Sequence, residues 1–448
     1  MKQVFSNNDT KSNFGKNGWL MVLLAGMGFW FVTGITVDGL NVILPAMAEQ
    51  SGMDYNTLLS WSTPAAWLSI PGSVLIAILC NKKGIKFTAI STLIVTAIAF
   101  SLYGYANTFA TYLIFAGIVN FASVGFSHVG ANALMASWFP RKKGLALGWA
   151  TIGQNLSTAL FVPLITFMIA HYGCGLGMSS ISVMMVAFAA VLAFLMKNTP
   201  EECGCTPDND NLTRAQIDEL QADFKNYKSP FTIGKLLRMK EVWMIGVAFG
   251  ALYMVTVGLI SQMVPRLIEL GYAQTTAITM MTVAAFIGCF GSYCWGYLDQ
   301  LITTRKASIV YAFWYIGALI LQIIPSNTIT IMLSIFMIGF GIGGIGNLVS
   351  SIVATKFGRY DFIKAWGVIL PITAVIRCSA YAVLAFGLSH LGGYAGAYSI
   401  FLAINIVAVI LIWRLDDTCI GKTLDYELPE DEEEDDIPGD LVVESHSL

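Results

Sequence analysis

Apolar residues fall in continuous blocks of about twenty, twelve times over, at 18–44, 58–80, 87–106, 111–138, 145–170, 177–196, 242–264, 275–298, 307–324, 329–354, 366–388 and 393–413. At a rise of about 1.5 Å per residue, a helix of this length crosses the ~30 Å hydrocarbon layer of a bilayer. The blocks are unbroken rather than alternating, and each far exceeds the length of a strand. The expected fold class is therefore an all-α membrane protein with twelve transmembrane helices. One long polar stretch, 199–240, separates six-helix bundles at 17–198 and 241–415. Polar tails occupy 1–16 and 416–448.

Basic residues sort the connections by side. Lys82, Lys83 and Lys86 lie between helices 2 and 3, and Arg141, Lys142 and Lys143 between 4 and 5. Arg305 and Lys306 follow helix 8, while Lys356, Arg359 and Lys364 precede helix 11. The central loop 197–241 adds seven more, and the opposite connections hold only Arg266. Positive charge is retained on the cytoplasmic side, so both termini and the linker are expected there. Within the linker, Asp208-Asn209-Asp210-Asn211 predicts the start of a helix over 212–226. The stretch 231–241 is amphipathic and is expected to lie along the membrane surface.

Composition agrees: 56% of the 448 residues are hydrophobic and 12% charged, with a mean hydropathy of +0.68. Soluble chains carry about twice that charged fraction. The net charge of −3 averages two unlike regions. Eleven acids lie from Asp425 onward, leaving 17 acids against 25 Lys and Arg before them. A like-charge block of this kind is expected to be solvated rather than packed. The eight cysteines are scattered, and Cys203-Gly204-Cys205 is too little for a zinc site.

The halves repeat at an offset of 219 residues. Gly72-Ser73 maps onto Gly291-Ser292, Lys86 onto Arg305, Gly125 onto Gly344 and Gly148 onto Gly367. Two bundles related in this way are the pattern of a parallel-repeat transporter.

Gly296-Tyr297-Leu298-Asp299 with Arg305-Lys306 resembles the major facilitator loop motif between helices 8 and 9. Its counterpart, Asn81-Lys82-Lys83-Gly84-Ile85-Lys86, lacks the acidic residue. Trp138-Phe139-Pro140-Arg141-Lys142-Lys143-Gly144 and Pro200-Glu201-Glu202-Cys203-Gly204 are similar to segments of the oxalate–formate antiporter and monocarboxylate porter families. The resemblance spans about residues 17–415. It implies the major facilitator fold and alternating access, with helices 1, 4, 7 and 10 lining a cavity and 2, 5, 8 and 11 forming the bundle interface. It also implies that Asp299 latches the cytoplasmic side by facing the start of helix 11, a favourable contact worth up to ~1 kcal/mol. Arg305 and Lys306 complete that gating motif.

Charges inside the spans each need a reason, since insertion scales set them at ~2.5–3.5 kcal/mol. Arg377 lies about 16 Å into helix 11, near the midplane, where a guanidinium pairs bidentately with a carboxylate. The alternative is a structural pair with a neighbouring helix. The oxalate–formate pattern also places a basic residue near the middle of helix 11, but its second, on helix 8, is missing here. One cation suits a monocarboxylate better than a dicarboxylate. Asp38, about 28 Å along helix 1, is a candidate proton carrier or a structural tie. His128 on helix 4 is the other proton candidate, against the commoner satisfied core histidine. It maps onto Asn347 on helix 10. Tyr311, Trp314, Tyr315 and Tyr381 could wall an anion site or simply pack. Asn120, Asn132, Gln154 and Asn155 read as interhelical glue.

Gly341-Ile342-Gly343-Gly344-Ile345-Gly346 matches G-x-G-x-x-G, yet it sits inside an apolar helix with no preceding strand, so dinucleotide binding is excluded. No Walker A, HExxH or nucleophile motif is present. The expected function is secondary transport of a small organic anion, a monocarboxylate, by proton symport or anion exchange. An exporter of apolar compounds and a non-transporting ligand sensor are the alternatives. No cofactor, metal or nucleic acid is expected. The partners are the lipid bilayer and the organic anion, the unit is a monomer, and the setting is a bacterial cytoplasmic membrane.

Overall fold

The computed structural model describes residues 11–53, 55–210, 214–324 and 327–422. The acidic run beyond Lys422 lies outside the described residues. All regular structure among them is helical.

Helix 1 runs from Gly15–Thr33 through a π-turn at Gly34–Asp38 into Leu40–Ser51. Helix 2 comprises Tyr55–Trp67 and Ser69–Lys83, and helix 3 is Ile85–Tyr103. Helix 4 joins Phe109–Ser123 to Gly130–Trp138 through a second π-turn, Gly125–Val129. Helix 5 begins at Lys143–Leu156 and carries a third, Ser157–Phe161. Its remainder and helix 6 share the helical run Val162–Leu195, which turns back at Gly173. Helix 7 comprises Lys240–Ser261 and Met263–Glu269, helix 8 is Gln274–Ile302, and helix 9 is Thr304–Ile323. Helices 10 and 11 share Thr328–Cys378, which turns back at Gly358; helix 11 continues over Ala380–His390. Helix 12 is Tyr394–Trp413.

Among the described residues, ten apolar helical stretches are long enough to span a bilayer, and two of them, 53 and 61 residues long, contain two spans each. The double spans reverse at glycines with φ of 77° (Gly173) and 68° (Gly358), a backbone that disfavours any side chain. Gly358 has a second reason: a Cβ there would lie 2.5 Å from the Lys422 carbonyl oxygen. Helix 11 therefore starts about two turns before the predicted Trp366. Its first turns are polar because they face the linker rather than lipid.

The two six-helix bundles meet most closely where helix 5 crosses helix 8. A Cβ on Gly148 would lie 2.9 Å from the Ser292 carbonyl, and one on Gly296 would overlap the Gly144 carbonyl. Small residues let the backbones touch, which substitutes for a hydrophobic drive that lipid cannot supply. Hydrogen bonds reinforce the crossing. Asn155 Nδ2 donates to the Gly288 carbonyl (3.2 Å) and to Ser292 Oγ (2.9 Å). Gln300 Nε2 reaches the Arg141 carbonyl at 2.7 Å.

The linker is docked onto this same end of the molecule. Glu201, which follows helix 6, forms a bidentate pair with Arg359 at 2.8 and 3.1 Å, both side chains essentially sealed from solvent. The Asp208 carboxylate accepts the backbone N–H groups of Arg141 (3.0 Å) and Lys142 (2.8 Å), at the entry to helix 5. Linker helix Arg214–Asn226 then meets helix 11, where Tyr360 Oη donates to Asp223 at 2.9 Å. The amphipathic stretch forms only one short helix, Ile233–Leu236. Its Leu236 is buried, while Ile233 and Leu237 are exposed.

Candidate functional site

Where both bundles converge, helices 1, 4, 5, 7, 10 and 11 enclose a small cavity of about 20 Å³. That is room for roughly one water molecule. Its walls are aromatic in part, with Phe29, Tyr253 and Trp366, and polar in part, with His128, Asn132, Thr151, Gln154 and Thr373. Gly346 contributes bare backbone.

Arg377 stands one turn beyond Thr373 on the same face of helix 11. Its guanidinium lies over the Tyr253 ring, 5.7 Å from the centroid, and interacts electrostatically with His128. The side chain is half-buried. Among the described residues no carboxylate pairs with it, in contrast to Arg141, Arg266, Arg305 and Arg359. A cation held in this way at mid-membrane is a ready partner for an anion.

His128 occupies the π-turn of helix 4, one of three such turns among the described residues, all in the first bundle. π-turns shift the faces of a helix and recur at functional positions. The His128 carbonyl accepts both Trp366 Nε1 (2.7 Å) and Asn132 Nδ2 (2.7 Å), so the turn is tied across to the other bundle. With its amide nitrogen so engaged, Asn132 leaves Oδ1 as a buried acceptor without a protein partner.

Asp38 does not share this cavity. It sits in the π-turn of helix 1 and accepts a hydrogen bond from Thr158 Oγ1 at 3.0 Å, in the π-turn of helix 5. Of its two readings, the tie between helices is the one with contacts. Asn347 is wholly buried and satisfied: its Nδ2 donates to the Ser292 carbonyl (2.8 Å) and its Oδ1 accepts from Thr151. Its place is the bundle seam, beside rather than on the cavity surface.

The aromatic wall expected from helix 9 packs elsewhere. Tyr311 is buried with its hydroxyl 3.1 Å from Thr256 Oγ1, and the Tyr315 ring lies tilted beside it at 5.0 Å. Trp314 Nε1 donates to the Met337 carbonyl at 2.7 Å. All three fill the core of the second bundle, because helix 9 packs against helices 10 and 12. The side chain of Tyr381 lies outside the described residues. The aromatic residues that do face the cavity, Phe29, Tyr253 and Trp366, were not anticipated. The one available hint was the place of Phe29 and Tyr253 on helices 1 and 7, two of the presumed cavity helices.

Asp299 also differs from expectation. It abuts Gly144 in the first turn of helix 5, not the start of helix 11, and it accepts a hydrogen bond from Ser351 of helix 10. Pseudo-symmetry explains the difference. Helix 8 crosses helix 5, whereas helix 2 crosses helix 11, with Ala77 lying against Gly367. The motif after helix 8 therefore meets helix 5. Arg305 lies 4.0 Å from Asp417 beyond helix 12, and Lys306 is exposed.

Two bundles of six helices, a small, partly polar cavity at their seam and a cation beside it that no carboxylate pairs among the described residues are the features of a membrane transporter. Residues 18–378 match the family model of the Major Facilitator Superfamily, and the chain belongs to that superfamily. It is 22% identical over 374 residues to the uncharacterized MFS-type transporter YhjX of Escherichia coli, covering 80% of this chain and 86% of that one. The oxalate:formate antiporter of Oxalobacter formigenes is 26% identical over 210 residues, 46% of this chain and 45% of that one. Monocarboxylate transporter 13 of Bos taurus is 23% identical over 280 residues, 59% and 60% of the two chains. The fold resembles that of the proton:xylose symporter XylE, with a TM-score of 0.70, 12% identity and coverage of 88% and 95%.

Proposed function

We propose that this protein carries a small monocarboxylate across a bacterial cytoplasmic membrane by alternating access, with the linker end facing the cytoplasm. The observation that carries the reading is Arg377: half-buried, stacked on the cavity residue Tyr253 and without an acidic partner among the described residues. A carboxylate entering the cavity would supply the missing charge. One such cation, with no second on helix 8, favours a single negative charge on the cargo. The named activities of the two partial relatives, oxalate:formate exchange and monocarboxylate transport, point the same way.

In this scheme His128 carries the coupled proton. A protonated imidazole beside the guanidinium places two positive charges at one small cavity, and a bound carboxylate is what stabilises that state. Proton and anion would then move together. Asp299 stabilises the closed linker end, since a carboxylate at the first turn of helix 5 faces its positive pole. Arg305 and Lys306 act at that end as well, outside the cavity.

The test is ligand-induced thermal stabilisation of the purified protein by formate, acetate and propionate, with and without Arg377→Gln. The unmodified chain is expected to gain several degrees with at least one of them, and Arg377→Gln with none. Equal stabilisation of both proteins would remove the anion site. A second reading, export of apolar compounds, is favoured by the aromatic walls Phe29, Tyr253 and Trp366. It predicts displacement of a bound lipophilic dye that is indifferent to Arg377.

A further inference from the structure

The glycine run of helix 10 does two different things. At Gly341, an added Cβ would overlap the Tyr315 ring; at Gly343 it would overlap Ser292 and the Gly288 carbonyl. At Gly344 it would lie 2.7 Å from the Trp295 ring. These three are glycine because neighbouring helices occupy the space. Gly346 is different. A Cβ there would meet nothing closer than Tyr253 Oη at 3.4 Å, Gln154 Oε1 at 3.6 Å and Thr151 Cγ2 at 3.8 Å, all ordinary contacts.

Its φ is not in the left-handed region, so backbone geometry does not demand glycine either. In a helix interior alanine is intrinsically favoured over glycine. Neither packing nor conformation accounts for the missing side chain at 346, and what remains is the cavity. Tyr253, Gln154 and Thr151, the three groups that would touch the Cβ, all line it. The free space there is about 20 Å³, which a single methyl group would consume.

We infer that Gly346 is a specificity-determining residue: by lacking a side chain it leaves room in the binding cavity, and so sets the longest monocarboxylate the protein accepts. The inference rests on the anion-site reading above. Arg377, one turn past Thr373, takes the carboxylate, while the room that Gly346 leaves against Tyr253, Gln154 and Thr151 admits the rest of the cargo. Cargo with no carbon chain needs little of this space. Each added methylene needs more, and loss of one methylene's worth of room changes discrimination by about 10-fold or more.

The experiment is uptake of radiolabelled formate, acetate, propionate and butyrate into proteoliposomes by the unmodified chain, Gly346→Ala, Gly344→Ala and Arg377→Gln. For Gly346→Ala the expected result is a well-folded protein whose propionate-to-formate uptake ratio falls about 10-fold. Gly344→Ala, which forces a Cβ against Trp295, should lose folded yield instead, showing that the two glycines differ in kind. A Gly346→Ala protein with an unchanged chain-length profile overturns the inference. So does one that loses all four substrates equally, which would make Gly346 a hinge. Arg377→Gln separates the readings: if it transports all four normally, the anion site itself is wrong, whatever Gly346→Ala does. If the unmodified chain takes up none of the four, both readings fall.

Discussion

Helix 11 carries two arginines eighteen residues apart, Arg359 at its linker end and Arg377 near the middle of the membrane. Eighteen residues are five helical turns, so the two lie on one face about 27 Å apart. Their surroundings are opposite. Arg359 is enclosed by Glu201, with aromatic rings of Phe224 and Tyr360 5.0 and 5.8 Å from its guanidinium, and its pair is sealed from solvent. Arg377 has a tyrosine face and, among the described residues, no acid. On the proposed reading, the same residue type on the same helix face is structural where the protein completes the charge, and functional where it leaves the charge open. A buried cation alone says little; what completes it says which kind it is.

The contrast is sharpened by breaking each side separately. The largest stability effect should come from Glu201→Gln, which strands Arg359 in a sealed site and costs about 3–5 kcal/mol. Thermal melting of the detergent-solubilised protein would show it as a clear loss of midpoint. Arg377→Gln should change stability by about 1 kcal/mol or less, the scale of a cation–π contact. If Arg377→Gln unfolds the protein as Glu201→Gln does, the two arginines are alike and the contrast fails.

Next in size are the two proton candidates, His128 and Asp38. His128→Gln is expected to abolish proton-driven accumulation while leaving exchange of internal for external anion. Asp38→Asn keeps an acceptor for the Thr158 hydroxyl and should cost about 1 kcal/mol with coupling intact. Uptake driven by an imposed pH gradient distinguishes them, and loss of coupling in Asp38→Asn alone would reverse the assignment.

The smallest effect is a pH dependence of the docked linker. Burial pushes Asp208 up to about 6, although Arg141 and the backbone N–H of Lys142 pull it down. Its folded value lies above the ordinary 3.8, so the folded state holds the proton more tightly, and stability from this group falls as pH rises from about 4 to about 6. Asp223 has the opposite sign: the hydrogen bond from Lys422 lowers it, so its contribution is present above 3.8 and lost as pH falls through the lowered value. Exchange protection of residues 200–210, corrected for intrinsic rates, should decline across pH 4 to 6 and become flat in Asp208→Asn.

Much of the architecture was legible because lipid is a strict solvent: twenty apolar residues per span and one-sided basic loops leave few alternatives. The candidate site was legible only where the sequence broke that rule. Arg377, His128 and Asp38 stood out as ionisable groups in hydrocarbon. Tyr253, Trp366 and Phe29 did not, because in a membrane bundle lipid-facing and cavity-facing positions are both apolar, and periodicity no longer separates them. The same blindness made Tyr311, Trp314 and Tyr315 look available when they fill a core. The π-turns that tie Asp38 to helix 5 and bring the His128 carbonyl to Trp366 left no composition signal. The contact of Asp299 with helix 5 followed from how the bundles cross, which no single loop motif records. The role of Glu201 was hidden for the same reason: its partner is Arg359, more than 150 residues away, across the linker.

The most direct test is monocarboxylate uptake into proteoliposomes holding the unmodified chain or Arg377→Gln at matched folded amounts. Saturable uptake by the unmodified chain, reduced at least about 100-fold in Arg377→Gln, is the result this account predicts for a charge-assisted contact deep in low dielectric. Uptake by Arg377→Gln at the unmodified rate would contradict it.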